Sequence, residues 1–123
     1  MPSYTIFKTP DGKSFGLAEW GRTPKVEVRG AVAKQATSQF LRLSSDQRFR
    51  VMQVGGHDYM WIPGQGAIMC YPAGVSASNN SRIAQVKMRG RDIVLEIDQN
   101  VARSGLLNPI VVAVALLHSG HSL

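Results

Sequence analysis

Basic side chains at alternate positions are the groups in this chain whose type and spacing suit a defined chemistry. Lys87, Arg89 and Arg91 recur at every second residue around Gly90. Ammonium and guanidinium groups hold phosphates and sulfates through charge-assisted hydrogen bonds. The pattern predicts an anion-binding face; the alternative is a solvated exterior whose charges discourage edge pairing of strands. The predicted anion-binding residues are Arg48, Arg50, Arg82, Lys87, Arg89 and Arg91.

The histidines raise the question of catalysis. His57 precedes Asp58, and His118 and His121 lie close together near the C-terminus. A carboxylate can orient an imidazole as a general base, but neighbours on an extended chain point to opposite sides. No nucleophile accompanies the histidines, and no thiolate or acidic cluster completes a zinc site. We therefore predict no catalytic residue, no metal site and no cofactor.

Tyr59 and Trp61 lie at alternate positions and would share one face of a strand. An exposed aromatic pair could bind a sugar or stack on a base. We predict instead that Trp61 belongs to the core. Cys70 lies in an apolar stretch and is predicted to be a small buried residue, because free cysteines are often buried.

The composition is that of a basic globular protein. The chain has 123 residues, a formal net charge of +6, 44% hydrophobic and 18% charged residues, which excludes a disordered chain and suits a single domain over residues 1–123. The net charge favours anionic partners. Residues 1–13 lack the basic and apolar segments of a signal peptide, so we expect a cytoplasmic or unconventionally exported protein.

Short segments separated by turn residues dominate the first 98 positions. Residues 26, 28 and 32 are valines, whereas positions 25, 27 and 29 are charged, and such alternation is typical of strands. Many short strands predict a sandwich or a barrel. The predicted strands are residues 3–8, 14–20, 25–33, 39–43, 49–54, 59–62, 67–71, 83–88 and 93–97.

An apolar run closes the chain. Asn108 and Pro109 resemble a helix N-cap and first helical residue, and Gly120 would end the helix. A helix over residues 108–118 that is apolar on every side must be buried; a central strand is the alternative, because β-branched residues prefer strands. The run is too short for a transmembrane helix, which needs about 20 apolar residues. The predicted core residues are Trp61, Ile110, Val112, Val114 and Leu117.

The order of these features resembles a known family. Tyr59-x-Trp61, an apolar strand, Ile83-Ala84 after a loop, and the closing segment are similar to small fungal domains of unknown function in the tubby C-terminal-like clan. That clan includes the tubby, LURP-one and phospholipid scramblase domains. The resemblance covers residues 49–118 and implies an antiparallel β-barrel wrapped around a hydrophobic C-terminal helix. The chain lacks the cysteine-rich and calcium-associated features of scramblases and is shorter than tubby domains.

The resemblance also implies anionic lipid head groups, such as those of phosphoinositides, as ligands. Because a fold does not determine a function, the prediction is a non-catalytic binding module for an anionic lipid surface or another polyanion. Two alternatives stay open. One is a carbohydrate-binding or defensive fungal protein, and the other is a nucleic-acid binder or ribonuclease that uses the basic residues and a histidine.

Overall fold

The computed structural model describes residues 3–74 and 82–119, which form two antiparallel sheets and a C-terminal helix. The prediction of a mainly β protein with a helix near its C-terminus is confirmed. In both sheets, strands that follow one another in the chain are neighbours. Such meanders need only short turns, which matches the many turn residues in the sequence.

The first sheet has four strands in the order of the chain. These are β1 (Ser3–Lys8), β2 (Ser14–Trp20), β3 (Lys25–Val28) and β4 (Val32–Ala36). The single strand predicted over residues 25–33 is wrong, because the chain turns at Gly30, whose φ is 77°. The backbone N–H of Ala31 donates to the carbonyl of Val28 across this turn. A left-handed φ suits glycine, which has no Cβ to clash with the backbone.

The second sheet has six strands and follows a short helical turn, α1 (Thr37–Phe40). This turn occupies the beginning of the strand predicted over residues 39–43. Gly55 and Gly56 both have positive φ and form the tight turn of a hairpin, as that turn type requires. The strands are β5 (Leu41–Leu43), β6 (Arg50–Val54), β7 (His57–Gly64), β8 (Ala67–Pro72), β9 (Ala84–Arg89) and β10 (Asp92–Ile97).

The C-terminal helical segment has three parts. It begins with α2 (Gln99–Val101), passes through Ala102–Leu106, where the helix is kinked at Gly105 (φ 91°), and ends with α3 (Leu107–Leu117). The Asp98 side chain caps α2 by accepting hydrogen bonds from two backbone N–H groups. Asn108 is not the N-cap of α3, because the two residues before it already have helical backbone angles. The predicted stop Gly120, His121 and positions 75–81 of the predicted loop lie outside the described residues.

The inner faces of both sheets and one side of α3 form a single hydrophobic core. Six of the eleven residues of α3 are buried, including Ile110, Val112 and Val114, which pack in one cluster with Trp61 and side chains of both sheets. Leu117 is half-buried at the margin of this cluster. The helix approaches β2 closely at Gly16, where an added Cβ would lie 3.3 Å from Cγ2 of Val112.

The two sheets are separate in the described part of the chain. β4 does not pair with β5, and β1 does not pair with β10, so this part shows no closed barrel. The helical turn α1 lies between β4 and β5 and interrupts the extended backbone that pairing would need. The whole helical segment Gln99–Leu117 has the length and composition of a membrane span, a property that core helices share.

Candidate functional site

The β9–β10 hairpin extends beyond the rest of its sheet. The last residue of β9 that pairs with β8 is Lys87, opposite Ala67. Met88 and Ile93 form the next pair along the hairpin, with no partner on the β8 side. As a result Met88 is 55% exposed and Ile93 is 44% exposed, although both continue the apolar face of the sheet that carries the buried Val86.

The same hairpin carries three exposed cations. Lys87 and Arg89 lie on the opposite face of β9 from Met88, since side chains alternate along a strand. Arg91 is not on the strand, because it forms the two-residue turn of the hairpin together with Gly90. Asp92 lies opposite Arg89. The hairpin tip therefore presents two exposed apolar side chains on one face, Lys87, Arg89 and Asp92 on the other face, and Arg91 in the turn.

Arg48 and Arg50 lie on the β6 side of the same sheet, where the register puts Arg50 level with Trp61, Cys70 and Ala84. Arg50 begins β6 and pairs with Trp61 of β7; its Nη1 donates a 2.8 Å hydrogen bond to the carbonyl of Leu41. Arg48 belongs to the loop before β6 and is exposed. Since β6 and β9 are three strand spacings apart, about 14 Å separates their backbones.

The loop that carries Arg48 also contains a carboxylate. Asp46 accepts hydrogen bonds from the Ser44 hydroxyl at 2.6 Å and from the backbone N–H of Arg48 at 3.1 Å. These hydrogen bonds, that of Ser44 first, hold the pKa of Asp46 below its ordinary value. The carboxylate is thus engaged within its own loop.

Arg82 is the predicted residue that lies apart from the others. It precedes Ile83, whose backbone N–H donates to the carbonyl of Cys70, and so stands before the start of β9, whereas Lys87 and Arg89 lie toward its end. The structure therefore divides the six predicted residues into three groups. Lys87, Arg89 and Arg91 form a hairpin group, Arg48 and Arg50 form a second group on the β6 side of the sheet, and Arg82 precedes β9.

A pocket of about 200 Å³ opens beside the second group. Its apolar walls come from β5, β7, β8 and the end of α3, and both arginines contribute to its lining. The indole of Trp61 forms part of the wall; the residue is 1% exposed, and its Nε1 is buried without a hydrogen-bond partner. Sequence reasoning placed Trp61 in the core and missed this pocket. Lining residues include Leu43, Trp61, Ile68, Leu117, Arg48 and Arg50.

The histidines are not assembled into a catalytic or metal site in the described residues. Asp58 points away from His57 and forms an ion pair with Arg42 at 3.3 Å. Nδ1 of His118 lies 2.9 Å from the carbonyl of Val114 in α3. Across residues 3–74 and 82–119, no group of three or more His, Cys, Asp or Glu side chains is arranged to hold a metal ion.

Cys70 is buried in β8. Burial raises the pKa of its thiol to about 12, because the apolar surroundings disfavour the charged thiolate. A nucleophilic or metal-binding cysteine requires the thiolate. The environment of Cys70 is therefore that of a packing residue.

Comparisons with protein-family models, curated proteins and solved structures give no match to this chain.

Proposed function

We propose that this protein is a non-catalytic binding module that docks the β9–β10 hairpin on an anionic lipid surface. The observation that carries the proposal is the exposed Met88–Ile93 pair, which projects beyond β8 on a hairpin that carries Lys87 and Arg89 on its other face and Arg91 in its turn. Large apolar side chains that are held in water at the tip of an element mark interaction sites. Cations on the same hairpin favour a partner with an apolar interior and an anionic surface, which is the chemistry of a membrane.

Two kinds of energy support such docking. Each basic residue near an anionic bilayer contributes about 1 kcal/mol, so the three cations together would strengthen binding by about a hundredfold. Insertion of Met88 and Ile93 adds the transfer of apolar surface from water, at about 25 cal/mol per Å². The combination of an apolar anchor and a basic patch is what gives stable membrane attachment to proteins that do not span the bilayer.

We also propose that the two sheets wrap around α3 in the manner of the tubby-like clan. The support is that α3 contributes Ile110, Val112 and Val114 to a core that contains side chains of both sheets. If the sheet edges close around the helix, backbone amides of the edge strands β4 and β5 exchange slowly with deuterium. Exchange as fast as that of the turn at residues 29–31 would contradict a closed barrel.

The experiment for the lipid proposal is co-sedimentation with vesicles that contain phosphatidylcholine alone, added phosphatidylserine, or added phosphoinositide. The test variant carries Lys87→Gln, Arg89→Gln and Arg91→Gln. The matched control carries Lys8→Gln, Lys13→Gln and Arg22→Gln, three exposed cations of the first half of the chain. Both variants lower the formal net charge from +6 by the same amount.

We expect the hairpin variant to lose about a hundredfold in affinity for anionic vesicles and the control to lose far less. Binding should weaken as salt rises to physiological strength, where the Debye length is about 8 Å. Equal losses in both variants would show that net charge, and not the hairpin, drives binding. Retention on a neutral glycan array without vesicle binding would replace the proposal by a carbohydrate-binding function.

A further inference from the structure

The indole of Trp61 lacks the partner that a buried donor normally has. The side chain is 1% exposed, and its Nε1 has no acceptor among the described residues. Buried polar groups in native proteins almost always form a hydrogen bond, and buried tryptophan N–H groups usually find an acceptor. The other tryptophan follows that rule, because Nε1 of Trp20 donates to the Thr5 hydroxyl at 2.9 Å. The unpartnered donor of Trp61 belongs to a residue that lines a pocket.

Arg50 brings a positive charge to the same place. Arg50 and Trp61 are directly paired across β6 and β7, so their side chains leave the sheet on one face about 5 Å apart at Cβ. The guanidinium has five donors, and its hydrogen bond within the described residues goes to the carbonyl of Leu41. It forms no ion pair in this part of the chain. The pocket thus has the charge of Arg50 without an ion-pair partner among the described residues, whereas Arg48 interacts with Asp46 in its own loop.

The remaining walls of the pocket are apolar and limit the size of an occupant. Leu43, Ile68 and Leu117 supply hydrocarbon surface. The volume of about 200 Å³ exceeds the roughly 150 Å³ of an apolar cavity that binds benzene. A ring or a short alkyl chain therefore fits, together with a small polar group.

We propose that this pocket binds a small apolar monocarboxylate. The carboxylate accepts hydrogen bonds from the guanidinium of Arg50, and the hydrocarbon part contacts Ile68, Leu43 and Leu117. A small rotation of the buried indole on binding brings the N–H of Trp61 to the same carboxylate. A planar carboxylate matches the fork of a guanidinium, and it supplies the acceptor that the indole lacks. Arg48 at the side of the pocket adds positive charge. The proposal does not rest on the lipid function, and each can fail alone.

The experiment is a titration of the ¹⁵N-labelled protein with hexanoate, followed by the two tryptophan indole signals in NMR spectra. A Trp20→Phe variant assigns them. We expect the Trp61 signal to shift to a saturable limit and the Trp20 signal to stay in place, since Nε1 of Trp20 already has its partner. Hexanol, which has the same chain without the charge, should bind at least about tenfold more weakly.

Two variants locate the site. Leu43→Glu places a carboxylate at the mouth of the pocket, on a residue that is 45% exposed, and should weaken hexanoate binding about tenfold by like-charge repulsion. Leu107→Glu is the matched control, because Leu107 is similarly exposed and lies at the start of α3. Arg50→Gln should weaken hexanoate binding by a similar factor and leave hexanol binding unchanged.

Several results would overturn the proposal. They are an unmoved Trp61 signal at saturating hexanoate, equal shifts of both indoles, equal affinity for hexanol, or equal effects of Leu43→Glu and Leu107→Glu. If hexanoate fails while anionic vesicles still bind through the hairpin, the pocket is wrong and the lipid function stands. If hexanoate binds while vesicles do not, the pocket stands and the lipid function is wrong.

Discussion

Two hairpins at the edges of the molecule both expose a pair of large apolar side chains. β1 exposes Tyr4 and Ile6, and the β9–β10 hairpin exposes Met88 and Ile93, with similar exposed fractions. Their surroundings differ. Tyr4 lies opposite Glu19, a carboxylate that also forms an ion pair with Lys34 at 3.3 Å, and Lys8 follows on the same face of β1. Met88 and Ile93 lie opposite each other, and Lys87 and Arg89 project from the other face of their hairpin.

The backbones of the two hairpins differ as well. β1 pairs with β2 along its whole length and covers the core with Phe7. β9 and β10 continue past the end of β8, where their apolar side chains cover nothing. An exposed hydrophobic residue therefore indicates a binding site only when the charges around it and its position agree with a partner. Of these two hairpins, only β9–β10 holds its apolar pair at a tip that projects beyond the neighbouring strand, which is why it is the one proposed to meet a membrane.

The largest loss of stability should come from a substitution in the hydrophobic core that both sheets share. Val112→Asp places an unpaired carboxylate at a fully buried position of α3. Burial of such a charge costs several kcal/mol, a large part of a domain's ordinary stability of about 5–15 kcal/mol. We expect the dispersed NMR signals of both hairpins to disappear together.

Leu107→Asp is the control for this prediction, because Leu107 belongs to the same helix and is exposed. It should melt cooperatively within a few degrees of the unmodified protein. Loss of one sheet alone in Val112→Asp would show that the two hairpins do not share one cooperative core.

The next effect tests the comparison of the hairpins directly. Met88→Gln with Ile93→Gln should weaken binding to anionic vesicles by about thirtyfold, since insertion of two such side chains is worth about 2 kcal/mol. Tyr4→Gln with Ile6→Gln removes equally exposed apolar groups from β1 and should leave vesicle binding unchanged. A larger loss in the β1 variant would reverse the assignment of the membrane-binding hairpin.

A smaller effect on the free energy of unfolding should distinguish Gly16, which is tightly packed, from Gly64, which has space around it. Gly16→Val forces a side chain between β2 and α3, where an added Cβ already lies 3.2 Å from the carbonyl of Glu27. Overpacking of this kind costs about 1–3 kcal/mol. Gly64→Val is the control, because the closest atom to an added Cβ there is 3.8 Å away. Urea unfolding of both variants measures the difference, and equal stabilities would show that the helix does not press on β2.

The smallest effect concerns the thiol of Cys70. Below pH 9 this thiol is protonated in both the folded and the unfolded chain, so its contribution to stability does not change with pH. Between pH 9 and about 12, only the unfolded chain ionises, and stability falls by up to about 1.4 kcal/mol for each pH unit. Cys70→Ala removes the ionisable thiol and with it this pH-dependent loss of stability. The difference in free energy of unfolding between the unmodified protein and the variant should therefore shrink as pH rises from 8 to 10. A constant difference would contradict the raised pKa.

Local sequence patterns predicted much of the fold. The predicted limits of β1 and β2 agree with the structure, and the predicted helix agrees with α3 to within one residue at each end, since turns and apolar runs act over a few residues. The break at Gly30 was missed because alternation continues on both sides of it. The alternation of side chains also predicted the face of the strand on which Met88 lies. It could not predict that Met88 is exposed, because its exposure depends on where β8 ends. The pocket could not be predicted, because Leu43, Trp61 and Leu117 come from three distant elements.

The meander order of the strands has a consequence for synthesis of the chain on the ribosome. Every strand pair joins neighbours in sequence, and such local contacts form quickly. Both sheets can therefore assemble as they emerge, at about 5–20 residues per second. α3 follows both sheets in the chain, so the nascent sheets expose the inner faces that α3 later covers. During that interval the newborn chain exposes apolar surface on which it can aggregate, and the arrival of α3 ends that exposure.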